Sequence, residues 1–267
     1  MPNGNLASVS SDQTIKIWST QNASLIRTYT VNRPLYSLAV LPNGYLATGN
    51  NNETQIWNTD IGSLIRTLTG HTNWVRSLLV LPNGDLASGS DDKTIKLWNP
   101  NTGGLIRTLT GHTGSVFALV LLPNGNLASA NGDTTIKIWN TVIGTAITIT
   151  GHISVVYSLV VLPNGFLASG SFDGIIKIWN TDTGSLVRNI VAHAALSLVV
   201  LPNGYLASGG LSDASIKIWN TENGSLIRTL TGHSNSVYSL VVLPNGKLAS
   251  CSYDNTIKIW ETDNGIV

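Results

Sequence analysis

The stretch Leu86-Ala-Ser-Gly-Ser-Asp-Asp-Lys-Thr-Ile-Lys-Leu-Trp98 decides how this chain is read. With His71 upstream it brings together serine, histidine and aspartate, the residue types of a hydrolytic site. Near-copies end at Trp18, Trp57, Trp139, Trp179, Trp219 and Trp260, so whatever the stretch does is done once in each of seven units. A catalytic site is needed once, whereas a structural device is needed in every copy of a repeat.

The prolines of Pro-Asn-Gly recur at Pro2, Pro42, Pro82, Pro123, Pro163, Pro202 and Pro244, a spacing of 39 to 42 residues. Periods of this length belong to propeller blades and to some helical arrays, and strand chemistry separates the two. Ser236-Val-Tyr-Ser-Leu-Val-Val-Leu243 is apolar and β-branched, Lys247-Leu-Ala-Ser-Cys-Ser252 is short, and Thr256-Ile-Lys-Ile-Trp260 alternates. Each has strand length and is bounded by turn residues. A fourth segment, Ser225-Leu-Ile-Arg-Thr-Leu-Thr231, follows the turn Thr221-Glu-Asn-Gly224. Each unit therefore reads as strands a to d of one small antiparallel sheet. In Leu-Pro-Asn-Gly, proline presets φ for the first corner of a type I turn and glycine takes the left-handed position, so the motif joins strands a and b. No unit carries a helical period. A lone four-stranded sheet cannot bury two apolar faces, but radial stacking lets each blade cover its neighbours, and a closed ring is expected.

Composition narrows the function. Hydrophobic residues make up 42% of the 267, enough for a sizeable core, while charged residues are 11% and the formal net charge is +1. Fifteen Lys and Arg against fourteen Asp and Glu, interspersed along the chain, supply no basic face, so no nucleic-acid partner is expected. The single cysteine, Cys251, occupies a slot that Gly89 and Gly170 fill elsewhere, rules out an internal disulfide, and is compatible with a reducing, cytoplasmic location. No basic leader and no run near the ~20 apolar residues of a membrane span is present, so no membrane partner is expected either. Zinc-type Cys/His spacing and phosphate-binding glycine motifs are absent, and no cofactor or metal is expected.

Gly-His, then Ser, then Asp six residues before a Trp closing a strand, all within about forty residues and repeated along the chain, resembles the WD-repeat β-propeller family. The resemblance implies that the histidine of the d–a loop, the serine of strand b, the aspartate of the b–c turn and the tryptophan of strand c form a hydrogen-bonded network within a blade. Residue by residue, the sets are His71, Ser88, Asp92 and Trp98; His112, Ser129, Asp133 and Trp139; His152, Ser169, Asp173 and Trp179; His193, Ser208, Asp213 and Trp219; and His233, Ser250, Asp254 and Trp260. Imidazole, indole, carboxylate and hydroxyl supply matching donors and acceptors for such a network. The tryptophans are followed by Ser19, Asn58, Asn99, Asn140, Asn180, Asn220 and Glu261, never by the aspartate that names the family. The second unit departs further: Asn50-Asn-Asn-Glu-Thr-Gln-Ile-Trp57 is one residue short, lacks the turn aspartate, and follows Val31-Asn-Arg-Pro34 rather than Gly-His, so that blade is expected to be the least rigid.

The expected architecture is all-β, a single domain over 1–267 forming a seven-bladed propeller of four-stranded antiparallel blades. Its units are 1–41, 42–81, 82–122, 123–162, 163–201, 202–243 and 244–267. Met1 occupies the slot of Leu41 or Leu243, so the first blade is expected to lack strand a, and Asn264-Gly-Ile-Val267 places the end of the chain where strand d of the seventh blade begins. Six closed blades with a loose C-terminal segment are the alternative. Open blade edges invite pairing, so a homodimer or completion by a partner strand is a further expectation, as is a fragment of a longer array.

Identical positions hold a ring, and variable ones are where a partner can be read. In the family, the d–a and b–c loops line the top face, which commonly binds peptides or protein surfaces. The residue before the turn aspartate is Ser11, Asp91, Gly132, Phe172, Ser212 or Tyr253, and the d–a loops contribute Arg33, Trp74, Ile153 and Val155. Trp74, Phe172, Tyr253, Ile153, Val155, Asp91 and Arg33 are the candidate partner-binding residues. A competing column behind Pro-Asn-Gly (Asn5, Tyr45, Asp85, Asn126, Phe166, Tyr205, Lys247) lies at the opposite rim. Arginines repeated on strand d and lysines repeated on strand c read as solvated charge that deters edge pairing. The expected function is a non-enzymatic scaffold binding a protein or peptide through its top face. The alternative is a self-associating structural module, or one domain of a larger WD-repeat protein.

Overall fold

The computed structural model describes residues 1 and 4–262. It divides into two compact units, Met1–Leu121 and Leu122–Val267, and among the described residues all regular structure is β-strand.

The first unit opens with a three-stranded sheet, Leu6–Val9, Thr14–Trp18 and Leu25–Thr30. A four-stranded second sheet follows, with Ser37–Val40, Leu46–Gly49, Glu53–Asn58 and Ser63–Thr69 as strands a to d. The third has Val75–Val80, Leu86–Ser90, Ile95–Trp98 and Leu105–Leu109 in the same order. Val116–Leu121, the last strand of this unit, is strand a of the fourth sheet. The second unit carries Leu127–Asn131, Ile136–Trp139 and Ala146–Ile149, the fourth sheet's strands b to d. Its fifth sheet comprises Val156–Val161, Leu167–Ser171, Ile175–Asn180 and Ser185–Val191. The sixth comprises Ala195–Val200, Leu206–Gly210, Ile216–Trp219 and Leu226–Leu230, and the seventh Val237–Val242, Leu248–Ser252 and Ile257–Trp260. Every sheet is thus an antiparallel meander. The segment Asn264–Val267, where a fourth strand of the seventh sheet was expected to begin, lies outside the described residues.

The Leu-Pro-Asn-Gly motif forms the a–b turns. In each described copy glycine has φ between +80 and +85, and in the second sheet Gly44 N–H donates to Leu41 C=O at 2.9 Å while Leu41 N–H donates to Tyr45 C=O at 2.8 Å. Strand b, made of the small residues Leu-Ala-Ser-Gly-Ser, is buried along its whole length in the third and fifth sheets. Register places the strand-c tryptophan opposite the first leucine of strand b, as in Leu86 with Trp98 and Leu167 with Trp179. A bulge near the start of strand a skips one residue between Val75 and Ser77, Val156 and Ser158, Ala195 and Ser197, and Val237 and Ser239. Bulges of this kind re-aim the extra side chain, here Arg76, Tyr157, Leu196 and Tyr238.

The core lies between neighbouring sheets of each unit. In the first unit Ile15, Ile17, Val31, Leu35 and Leu46 form one cluster, and Leu41, Ala47, Ile56, Leu68, Leu86 and Trp98 another. In the second, Ile176, Ile178, Ile190, Leu198 and Trp219 join the fifth sheet to the sixth, and Ile216, Ile218, Leu230, Val237 and Leu248 the sixth to the seventh. Each buried valine, leucine or isoleucine among them contributes about 1.5–3 kcal/mol by leaving water.

The repeated cations differ from the solvated charges expected. Arg27 Nη1 donates to Asp60 C=O at 2.6 Å and Arg66 Nη1 to Thr102 C=O at 2.8 Å, so a strand-d arginine clamps the c–d turn of the next sheet. Strand-c lysines pair across their own sheet, Lys96 with Thr108 Oγ1 at 3.1 Å and Lys177, itself buried, with Asn189 Oδ1 at 2.8 Å. Strand-a serines add a second tie: Ser77 Oγ accepts from Leu119 N–H at 3.1 Å, and Ser158 Oγ from Leu198 N–H at 2.9 Å. Sequence periodicity marks these positions as regular, but the arginine and serine partners lie 33 to 42 residues away.

Candidate functional site at the d–a and b–c turns

The fifth sheet illustrates the repeated network. Trp179 Nε1–H donates to Ser169 Oγ at 2.8 Å, His152 Nε2 lies 2.7 Å from Ser169 Oγ, and His152 Nδ1 lies 2.7 Å from Asp173 Oδ2. The carboxylate also accepts Ile153 N–H at 3.2 Å and Ile175 N–H at 3.0 Å. Burial pushes the His152 pKa down, more than its bond and charge interaction with Asp173 push it up. Burial would raise Asp173, yet the His152 bond, its charge and the two backbone N–H groups hold the carboxyl below the usual range. A neutral imidazole beside an ionised carboxylate assigns every proton: indole to serine, serine to Nε2, Nδ1–H to aspartate. Gly151 lies beneath the indole, where a Cβ would stand 3.0 Å from Trp179 Cη2, which accounts for the Gly-His pair.

The same contacts hold His71 to Asp92 and Ser88 at 2.6 and 2.7 Å, and His233 to Asp254 and Ser250 at 2.6 and 2.7 Å. In the sixth sheet His193 lies 3.0 Å from Asp213 and 2.8 Å from Ser208, with Lys217 Nζ adding a 2.8 Å bond to the carboxylate. Trp98, Trp219 and Trp260 each donate to their serine at 2.8 to 2.9 Å. In the fourth sheet Trp139 donates to Ser129 at 2.8 Å, Asp133 accepts Thr135 N–H at 3.0 Å, and His112 is buried. Ser88, Ser129, Ser169 and Ser208 are wholly buried, so no substrate carbonyl reaches their hydroxyls. The second sheet keeps only the Trp57-to-Thr48 bond, at 2.9 Å.

The variable residues sit on the turns beside these networks. Asp91 N–H donates to Trp74 C=O, Phe172 N–H to Val155 C=O and Tyr253 N–H to Ser236 C=O, at 2.9, 2.9 and 3.0 Å, so each b–c turn is fastened to the d–a loop of its own sheet. The sixth sheet makes this bond from Leu211 to Ala194 C=O. Leu211, not Ser212, therefore stands in the column there, because that turn advances by one residue. In the second unit Ile153 is 85% exposed, Tyr253 60% and Phe172 50%, while Val155 is half-buried. Tyr253 packs edge-on against Tyr238, ring centres 4.5 Å apart.

In the first unit Trp74 stacks on Tyr36 with centroids 4.7 Å apart and planes 11° from parallel. The Arg76 guanidinium lies 4.3 Å from the Trp74 ring centre and 5.3 Å from that of Tyr36. Asp91 engages Arg76 side-on, Nε to Oδ1 at 3.1 Å and Nη2 to Oδ2 at 2.9 Å. Arg33 Nη1 donates to Asn52 Oδ1 at 3.2 Å, tying its d–a loop to the second sheet's b–c turn. Tyr36 and Arg76 were not singled out from sequence. The signal was there: the column Tyr36, Arg76, Phe117, Tyr157, Leu196, Tyr238 contains one cation.

Among the described residues, no group of three His, Cys, Asp or Glu side chains could hold a metal ion, and no helix is long and apolar enough to cross a membrane. Cys251 is partly buried, and burial raises its thiol pKa.

Seven antiparallel meanders, five of them carrying tryptophan, serine, histidine and aspartate at the network positions, define the blades of a β-propeller, three-stranded in the first and seventh among the described residues. The chain belongs to the WD40 family: the profile described as WD domain, G-beta repeat matches residues 1–19, 62–99, 103–140, 145–180, 184–220 and 224–261. The unmatched stretch 20–61 contains strands a to c of the irregular second sheet. The crystal structure of the WD40 beta propeller domain of Doa1 is similar over 98% of this chain and 90% of that one, with 31% identity and a TM-score of 0.86. A search of curated proteins returned no match. WD40 propellers typically serve as protein-interaction scaffolds and are generally not enzymes.

Proposed function

We propose that this chain is a non-enzymatic scaffold that binds a protein or peptide through the loops joining strands d to a and b to c. The observation that carries this reading is the exposure of large apolar side chains at the variable positions of those loops, Ile153, Phe172 and Tyr253 in the second unit and Trp74 in the first. Rigid aromatic anchors on a pre-formed surface bind at low entropic cost. The histidines and serines of the repeats are saturated by one another, so they are assigned to blade stability and not to catalysis. A cytoplasmic location and the absence of nucleic-acid or membrane partners belong to the same proposal and rest on the near-neutral charge and the single cysteine.

The test is an affinity capture from source lysate with the wild-type chain beside the variant Trp74→Ala, Phe172→Ala, Tyr253→Ala, each bait's mass being checked by light scattering. Partners recovered by the wild type and lost by the variant support the reading. Equal recovery by both baits transfers binding to the a–b turns, and a dimeric bait without partners favours self-association.

A further inference from the structure

Of the fifteen Lys and Arg, eleven fill the strand-c lysine and strand-d arginine columns, leaving Arg33, Arg76, Lys93 and Lys247 outside the repeat. Arg33, Arg76 and Lys93 belong to a d–a loop, the bulge of a strand a and a b–c turn of the first unit. The corresponding bulge and turn positions of the second unit are Tyr157, Phe172, Tyr238 and Tyr253, without a cation. Cations that break the repeat thus gather where the proposed function places a partner.

Arg76 is also pre-organised. The bulge between Val75 and Ser77 makes it the extra residue of its strand, its guanidinium lies against the Trp74 and Tyr36 rings, and Asp91 fixes it through the Nε/Nη2 edge. Among the described residues Nη1 has no acceptor, and about a quarter of the side chain, 26%, is exposed. Guanidinium offers two bidentate edges. Asp91 occupies one, and the other, Nη1/Nη2, is open beside Trp74, a residue 38% exposed. A rigid fork next to an aromatic wall matches a planar carboxylate followed by an apolar group. Asp91 offsets part of the charge.

We propose that Trp74 and Arg76 form an acidic-residue site: an extended partner segment places an Asp or Glu side-chain carboxylate on the Nη1/Nη2 edge of Arg76 and packs a neighbouring apolar side chain on Trp74. This rests on the reading of these loops as the partner-binding surface. Arg76→Lys would keep the charge but lose the fork.

The experiment pans random peptides, displayed on phage through their C-termini so that side chains alone supply carboxylates, against the full chain. Enriched sequences are then synthesised with amidated C-termini and measured by fluorescence anisotropy. The expected result is an acidic position beside an apolar one, with Glu→Gln in the peptide weakening binding at least tenfold to the wild type and less than twofold to R76K. The peptide-side change needs no protein variant, so a destabilised R76K cannot imitate it. Enriched peptides without an acidic position, or an acidic preference that R76K retains in full, overturn this site while leaving the loops as a binding surface. Enriched peptides whose binding survives Trp74→Ala, Phe172→Ala and Tyr253→Ala together overturn both, as does the absence of enrichment.

Discussion

Thr54 offers the sharpest test of how the irregular second repeat was accommodated. It occupies the strand-c slot filled by Ile15, Ile95, Ile136, Ile176 and Ile216, and like them it is at most 1% exposed. Its Oγ1 is buried without a hydrogen-bond partner, as are Asn50 Nδ2, Asn51 Oδ1 and Gln55 Oε1 on the same turn and strand. An unpaired buried hydroxyl costs about 1–3 kcal/mol, and valine has the shape of threonine without that group. Thr54→Val is therefore expected to stabilise by about 1–2 kcal/mol, equivalent to roughly 2–8 °C in Tm for a chain of this size. The reverse change, Ile95→Thr, installs the same defect in a regular blade and removes apolar burial, and is expected to cost about 2–4 kcal/mol. Thermal melts measure both. Amide hydrogen exchange adds the local view: strands Leu46–Gly49 and Glu53–Asn58 should exchange faster than Leu86–Ser90 and Ile95–Trp98, and Thr54→Val should narrow the gap. A Thr54→Val chain no more stable than the wild type, or uniform protection across the blades, refutes the reasoning.

Three other outcomes are expected. Ser169→Ala strands both His152 Nε2 and the Trp179 indole N–H in the core, so a loss of about 2–4 kcal/mol is expected in urea titrations, and a loss under about 0.5 kcal/mol would sink the network's structural role. Gly209→Ala sets a Cβ 2.9 Å from the Val237 carbonyl oxygen of the adjoining strand; backbone cannot yield as a side-chain tip does, so a cost of about 1–3 kcal/mol is expected, and an unchanged melt would contradict that packing. On acidification, His152 and His193, held neutral by burial, bind protons only after the unfolded chain does, so stability falls from about pH 6.5 downward. Asp92, Asp173, Asp213 and Asp254, held below the usual carboxylate range, contribute stability that is full above about pH 4 and lost below it. A urea midpoint that rises between pH 8 and pH 5 would contradict this sign.

The sequence carried the fold because each repeat states its local chemistry completely. Leu-Pro-Asn-Gly encodes the a–b turn, alternation in Thr-Ile-Lys-Ile-Trp encodes strand c, and Gly-His, Ser and Asp stand at offsets that bring them together once the meander forms. The loop positions Trp74, Phe172 and Tyr253 were legible as departures from an otherwise repeated pattern. What stayed hidden were contacts without a local signature: the clamp from Arg66 to Thr102 C=O, the tie from Leu119 N–H to Ser77 Oγ, and the one-residue advance that puts Leu211 in the Ser212 column.

Periodicity by itself determined the number of sheets and their strand order, because hydrogen bonding within a meander depends only on residues close along the chain, while the residues of the buried networks followed from the family resemblance that the repeated Gly-His, Ser, Asp and Trp carry. Tertiary structure alone decided which variable residues lie together. Tyr36 and Asp91 are 55 positions apart, and only the stacking of one sheet on the next sets both around Trp74 and Arg76, orienting the guanidinium and leaving one of its edges open.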